Sequence, residues 1–327
     1  MIDFRYFLVS VSAIFLALAV GIVVGAGLLR GDVDQQLRAH ARQAAGESEV
    51  LRNQLRAERR LAGYRDAVAA QLLPDLVKGT LSGTSVVLVG LPYARSETLT
   101  SVREAVESAD ATVTGTVAIT SKWVDPDQRQ FVDLLAARVG RRAGSSCDVD
   151  SPYSRASGVL AGAVLTTDPA ATQADANTTT VLGAFAEADL IRAPADLRRA
   201  EYAIIVAPPA ENADLERRAG GTAAFLEATQ TTSTIDAWVA LTRCFDAAGK
   251  GVVVAGEVSP GREAPAISAV REDVHARAEV STVDVADLPS GHLAVVWALA
   301  EQRAGRVGHY GARYGIDGVL PRRPTAR

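Results

Sequence analysis

The chain has 327 residues, enough for one large domain or two ordinary ones with a core that needs no disulfide to hold it. Hydrophobic residues make up 48% and charged residues 22%, a globular composition, and the net charge of −4 leaves no global basic field for nucleic acid. One methionine, two cysteines and four histidines, with no CxxC, HxxxH or Met-rich stretch, exclude a sequence-evident zinc or copper(I) cluster.

The first element is the apolar run Tyr6 to Leu29, which holds no charged residue and is flanked by Arg5 and Arg30. As a helix it spans roughly 36 Å, enough for a hydrocarbon core of about 30 Å. Secretory apolar regions are shorter, at about 7–15 residues. The expectation is therefore a retained anchor within residues 1–31, with Gly25-Ala26-Gly27 as the place where a signal peptidase would cut if the run were removed. Arg5 and the terminal amine outweigh Asp3 ahead of the span, and no basic excess follows it. The positive-inside rule then puts the N-terminus in the cytoplasm and the body outside it. Ala13, Ala17, Gly21 and Gly25 recur every four residues along one face, a spacing that lets two membrane helices approach closely.

Residues 32–75 read as a long helix, with Asp32 as N-cap and Pro74 as stop. Leu37, Ala44, Leu51, Leu55 and Leu72 lie on a heptad track that Glu58 and Arg65 interrupt. The reading is a parallel dimeric coiled coil; the alternative, an amphipathic helix lying on its own body, uses the same leucines.

From residue 80 to 305 the pattern becomes strand–helix alternation. "SVVLVGLP" (85–92), "ATVTGTVAI" (111–119), "AEYAIIVAPP" (200–209), "GVVVAGE" (251–257) and "AEVSTVDVAD" (278–287) read as strands, the last with a turn. Helices are expected at 96–109, 125–139, in "TTTVLGAFAEADL", at 234–250 and at 288–305. Residues 140–180 read as a variable surface region with one short helix near 157–165, and 306–327 as an irregular tail. The fold class is α/β: one N-terminal transmembrane helix, a long coiled-coil helix, then a mainly parallel sheet covered by helices.

Catalytic signatures are missing. There is no GxGxxG, Walker A or GxSxG, which argues against a dinucleotide, nucleotide or serine-hydrolase site and for a non-enzymatic role. Pro92, Pro208 and Pro209 fall at strand C-termini, where α/β ligand crevices form, but loops also start with proline there. Cys147 and Cys244 either form a disulfide, closing a loop worth about 4–5 kcal/mol, or leave Cys244 as a core thiol beside Phe245. His40 falls on the coiled-coil stretch, His275 on a solvated helix face and His292 at the start of the last helix. His309, between Gly308 and Gly311, is the one candidate metal ligand; Asp284 and Asp287 join it only if the tail folds back. No cofactor is evident from these residues.

Taken in order, "FRYFLVSVSAIFLALAVGIVVGAGLL" (4–29), a charged helix, "SVVLVGLP", "STVD" (281–284) and "GHYG" (308–311) resemble the actinobacterial copper transport protein B family. The resemblance covers nearly the whole chain apart from 140–180. It implies a membrane-associated envelope protein of copper homeostasis, moving copper through a channel-like activity. Copper enters as the cargo by resemblance alone, since a single helix encloses no pore. Corynebacterial relatives look like partners in cell separation. The residues themselves also fit a second function: a dimeric, non-enzymatic coiled-coil scaffold that docks cell-wall remodelling or division proteins.

Overall fold

The computed structural model describes residues 4–140, 147, 151–210, 224–259, 263–313 and 315–324, with the side chains of 4–5, 25–42, 44–45 and 224–233 left aside. The chain divides into two compact units, Met1–Arg65 and Asp66–Arg327.

The first unit is helical throughout its described length and belongs to α1 (Phe4–Val77). Its described apolar side chains lie in the open: Phe7, Leu16, Val20 and Val23 are all exposed. The stretch Tyr6–Val24 has a mean hydropathy of 2.8 and no buried residue, and among the described residues it is the one helix long and apolar enough to cross a membrane.

In the second unit α1 ends at Val77, past the expected stop at Pro74. A proline this close to a C-terminus removes one donor from the last turns, while its carbonyl still accepts from the Lys78 N–H at 3.0 Å.

Seven strands form one sheet among the described residues: β1 (Ser85–Gly90), β2 (Thr112–Ile119), β3 (Ile191–Arg192), β4 (Tyr202–Val206), β5 (Val252–Ala255), β6 (Ser281–Val283) and β7 (His309–Tyr310). Their spatial order is β3-β2-β1-β4-β5-β6-β7. Every pair is parallel except β2–β3, so the sheet is mainly parallel, as the alternation predicts.

The central strands β1 (after Ser85), β4 and β5 read as apolar runs because both faces are covered. Val87, Val89, Ile205 and Val254 face one core with α3 (Arg129–Val139), α4 (Ser154–Val164), α5 (Ala176–Glu187) and α6 (Ala224–Ala248). Val86, Leu88, Ile204 and Val253 face the other with α2 (Ser96–Ser108) and the last helix, at Pro289–Arg303.

Several elements differ from expectation. Residues 140–180 hold the short helix expected near 157–165, as α4, but nine of its residues are buried and not on a variable surface; they also hold the start of α5, whose Asp175 cap accepts the Thr178 N–H at 2.7 Å. One helix that the pattern hides, α7 (Pro265–Glu272), is separated by Asp273 from α8 (Val274–Glu279), the solvated helix expected to carry His275. That carboxylate caps α8 by accepting the His275 and Ala276 N–H groups; the helix runs to Glu279, and the strand within the expected strand and turn at 278–287 is Ser281–Val283. The last helix, Pro289–Arg303, is α9. The tail is not wholly irregular: His309–Tyr310 pairs with β6.

Candidate functional site

The strand order reverses between β1 and β4: the chain steps outward through β2 and β3, then returns beside β1. Ligand crevices of open parallel sheets form outside the carboxyl ends at such a point. Pro92, Pro208 and Pro209 all fall here and are buried, and the Leu91 N–H donates to Val206 O at 2.9 Å across the gap.

The charged group at this edge is Glu257, two residues past β5 and 2% exposed. Thr98 Oγ1 donates to Glu257 Oε1 at 2.6 Å, and Arg95 Nη1 lies 2.7 Å from Oε2. Burial pushes the Glu257 carboxyl above its ordinary range, against the pull of Thr98 and Arg95. This carboxylate ties the β1–α2 connection to the end of β5. A charged residue directly after the apolar "VVVAG" was the available signal for it.

The second polar centre joins the two short motifs "STVD" and "GHYG", which lie on adjacent strands β6 and β7. Ser281 Oγ accepts from the Gly308 N–H at 3.2 Å and from Gln302 Nε2 at 3.0 Å. Asp284 accepts from the Ala312 N–H at 2.8 Å and from Arg271 Nη1 at 2.9 Å. Arg271 also reaches Thr282 Oγ1 at 2.8 Å, Tyr310 O at 3.1 Å, and Glu263. Tyr310 donates its hydroxyl to Glu301 at 2.5 Å, and burial with this bond drives the phenol upward. Both motif glycines are required by close approach. A Cβ on Gly308 would strike the Tyr310 ring, and one on Gly311, at φ +139°, would lie 1.8 Å from Asp284 Oδ1.

The glycine-flanked setting of His309 suggested an imidazole open to a metal. The tail does fold back, but the ring is 4% exposed and spent on the protein. Its Nε2 lies 3.1 Å from Arg277 O, an acceptor only, so this nitrogen carries the proton. Its Nδ1 accepts from Thr282 Oγ1 at 2.9 Å. No lone pair faces outward. Burial lowers the pKa and keeps the ring neutral. Asp284 is held by Arg271, and Asp287 Oδ1 accepts the Val258 N–H at 2.8 Å, so neither carboxylate converges on His309. Among the described residues no group of three or more His, Cys, Asp or Glu side chains is placed to hold a metal.

The remaining candidates lie apart from these centres. Cys147 and Cys244 are joined by a disulfide with Cα atoms 5.0 Å apart. His275 is exposed on α8 and His292 half-buried in the first turn of α9. Ala13, Ala17 and Gly21 are exposed on α1, as are Leu51, Leu55 and Leu72. Gly25, Leu37, His40 and Ala44 are helical, but their side chains are outside the described set.

Fold and site together define a class: an α/β protein with a doubly wound sheet, self-satisfied polar locks at the sheet's carboxyl edge, and one apolar N-terminal helix suited to a membrane. Residues 1–321 match the family model described as copper transport outer membrane protein, MctB, and the chain belongs to that family. It is 30% identical over 326 residues to copper transporter MctB of Mycobacterium tuberculosis, covering 98% of this chain and 99% of the relative. The Mycobacterium leprae copper transporter MctB is 28% identical over 329 residues, with the same coverage.

Proposed function

We propose that this chain is a membrane-anchored protein of copper homeostasis in the cell envelope, with copper as its cargo and no bond-making chemistry of its own. The observation that carries this reading is the extent of the family match, which takes in both the apolar helix and the α/β body. The relatives named for copper transport align along essentially their whole length.

The span tethers the body, and the charge balance at its ends favours a cytoplasmic N-terminus with the body outside. One helix cannot enclose a pathway, so passage of copper requires more than one copy or a partner. The small-residue face Ala13, Ala17, Gly21 and Gly25 is suited to such a contact. The heptad residues Leu37, Ala44, Leu51, Leu55 and Leu72 extend it as a parallel dimeric coiled coil. The reading as a cell-division scaffold draws no support from the relatives, which are named for copper.

The test is deletion of the gene in its own host, followed by growth on graded copper and measurement of cell-associated copper by mass spectrometry. Copper sensitivity and copper accumulation, both reversed by the full chain, are expected. Unchanged tolerance and copper content would remove the copper reading.

A further inference from the structure

Cys147, Cys244 and Met1 hold all the sulfur in the chain. The two ends of the disulfide see different surroundings. Cys244 on α6 is 1% exposed in the core, its Sγ 3.6 Å from the Ser154 carbonyl oxygen. Cys147 is half-buried and lines an open cavity of about 780 Å³. Arg129, Asp133, Ser151 and Arg155 share that lining. Arg155 lies 3.2 Å from Asp133, so that pair cancels, and among the described lining residues Arg129 leaves a net positive charge.

Copper(I) is a soft ion that prefers thiolate sulfur, and His309 has no lone pair to offer it. We propose that the Cys147–Cys244 pair is a redox-gated copper(I) site, closed as the disulfide and open as the dithiol. This rests on the copper reading above and names where the chain would hold the metal. The opening step is thiol–disulfide exchange with a thiol reductant. The reductant's thiolate attacks Cys147 sulfur from the cavity, the protein S–S bond breaks, and Cys244 leaves as a thiolate that takes a proton. A second reductant thiol then attacks the mixed disulfide and releases Cys147. The reductant ends as its own disulfide, and the protein has gained two hydrogens as two thiols. Copper(I) takes both sulfurs and displaces two protons. The product is a bis-thiolate complex with one negative charge, and Arg129 in the same lining is a counter-charge for it. The reduced Cys244 keeps the Ser154 carbonyl as a polar neighbour in an otherwise apolar core.

The full chain in detergent, either oxidised or reduced with dithiothreitol and desalted without oxygen, is titrated with copper(I) against bathocuproine disulfonate. Circular dichroism is recorded on each sample. Expected are one copper(I) bound per reduced chain, none per oxidised chain, and loss of binding in reduced Cys147→Ser. Equal uptake by both redox forms, no uptake by the reduced form, or full uptake by Cys147→Ser overturns the site. A reduced chain that has lost its α/β signal also overturns it, because the site needs the fold that brings residue 147 to residue 244. The reading it rests on is tested separately in the deletion strain. A Cys147→Ser, Cys244→Ser double variant that restores full copper tolerance overturns the site's part in copper handling and leaves the copper reading standing. Failure of the double variant to restore tolerance while it accumulates in the membrane, folded by protease resistance, at the level of the wild-type chain that does restore it, supports both.

Discussion

The two units of this chain use the same apolar residue types in opposite ways. Along Tyr6–Val24 none of the apolar side chains is buried, whereas Val86–Val89 of β1 and Ile204–Val206 of β4 are all buried on both sheet faces. The body consumes its own hydrophobic surface, with helices supplying two cores. The described apolar side chains of the N-terminal helix are exposed, a surface suited to another solvent. What separates them is periodicity and length. Short β-branched runs of four to eight residues, punctuated by glycine and proline, pair with one another, while a single run long enough to cross a bilayer does not fold back.

The largest expected effect breaks the N-terminal side of this comparison. Leu16→Arg with Val20→Arg places two charges in the middle of the span, each costing about 3 kcal/mol on insertion scales. The doubly substituted chain is expected in the soluble or aggregated fraction after membrane sedimentation, where the unchanged chain pellets with the bilayer. On the body's side, the disulfide closes a sequence separation of 97 residues. Its replacement by Cys147→Ser should lower unfolding free energy by about 4–5 kcal/mol in denaturant titrations.

A somewhat smaller loss is expected from the β6–β7 lock. Arg271→Ala strands the Asp284 and Glu263 carboxylates, whose side chains are only 5% and 18% exposed. Breaking a buried ion network by removing one member costs about 3–5 kcal/mol. Thermal unfolding measured on Arg271→Ala should show that loss, and Arg271→Lys should recover only part of it, because an ammonium cannot reach all four partners in the plane of a guanidinium.

The smallest effect is one of pH. Burial first, and then the nearby Glu279, push Asp246 on α6 from 3.8 to about 6, with Arg243 opposing. The folded chain therefore holds this proton more tightly than the unfolded chain. The stability it contributes is fully present below about pH 3.8 and is lost as the pH rises through about 6. Asp246→Asn removes the titrating group. The variant is expected to be more stable than the parent at pH 8, by at most about 3 kcal/mol and less where solvent screens the charge, with the advantage shrinking toward pH 4. A difference that does not change with pH would show that burial of Asp246 is not its cause.

Much of the architecture was legible before any coordinates. The apolar helix, the β-branched runs of β1, β4 and β5, and the terminal helix α9 are strong local patterns, and each lies where the pattern puts it. The misses share a physical cause. β3 and β7 are two residues long, too short for alternation to register, and exist only because a neighbouring strand offers them hydrogen bonds. The helix α7 is eight residues long and is cut off from the next helix by the Asp273 cap. At the candidate site, "STVD" and "GHYG" were visible as motifs, but not that they are one object.

The sequence by itself determined the class of protein: an apolar run of spanning length, and a parallel sheet announced by central strands, β1, β4 and β5, whose apolar runs mark both faces as covered. Only the tertiary structure decided what the polar residues do. It spent both nitrogens of His309 on Thr282 and Arg277, gathered Glu263, Thr282, Asp284 and Tyr310 around Arg271, and joined residue 147 to residue 244. Hydrophobic burial follows periodicities of two and 3.6 residues that are written locally in the chain, whereas a hydrogen bond or disulfide is fixed by which distant residues the fold brings within bonding distance.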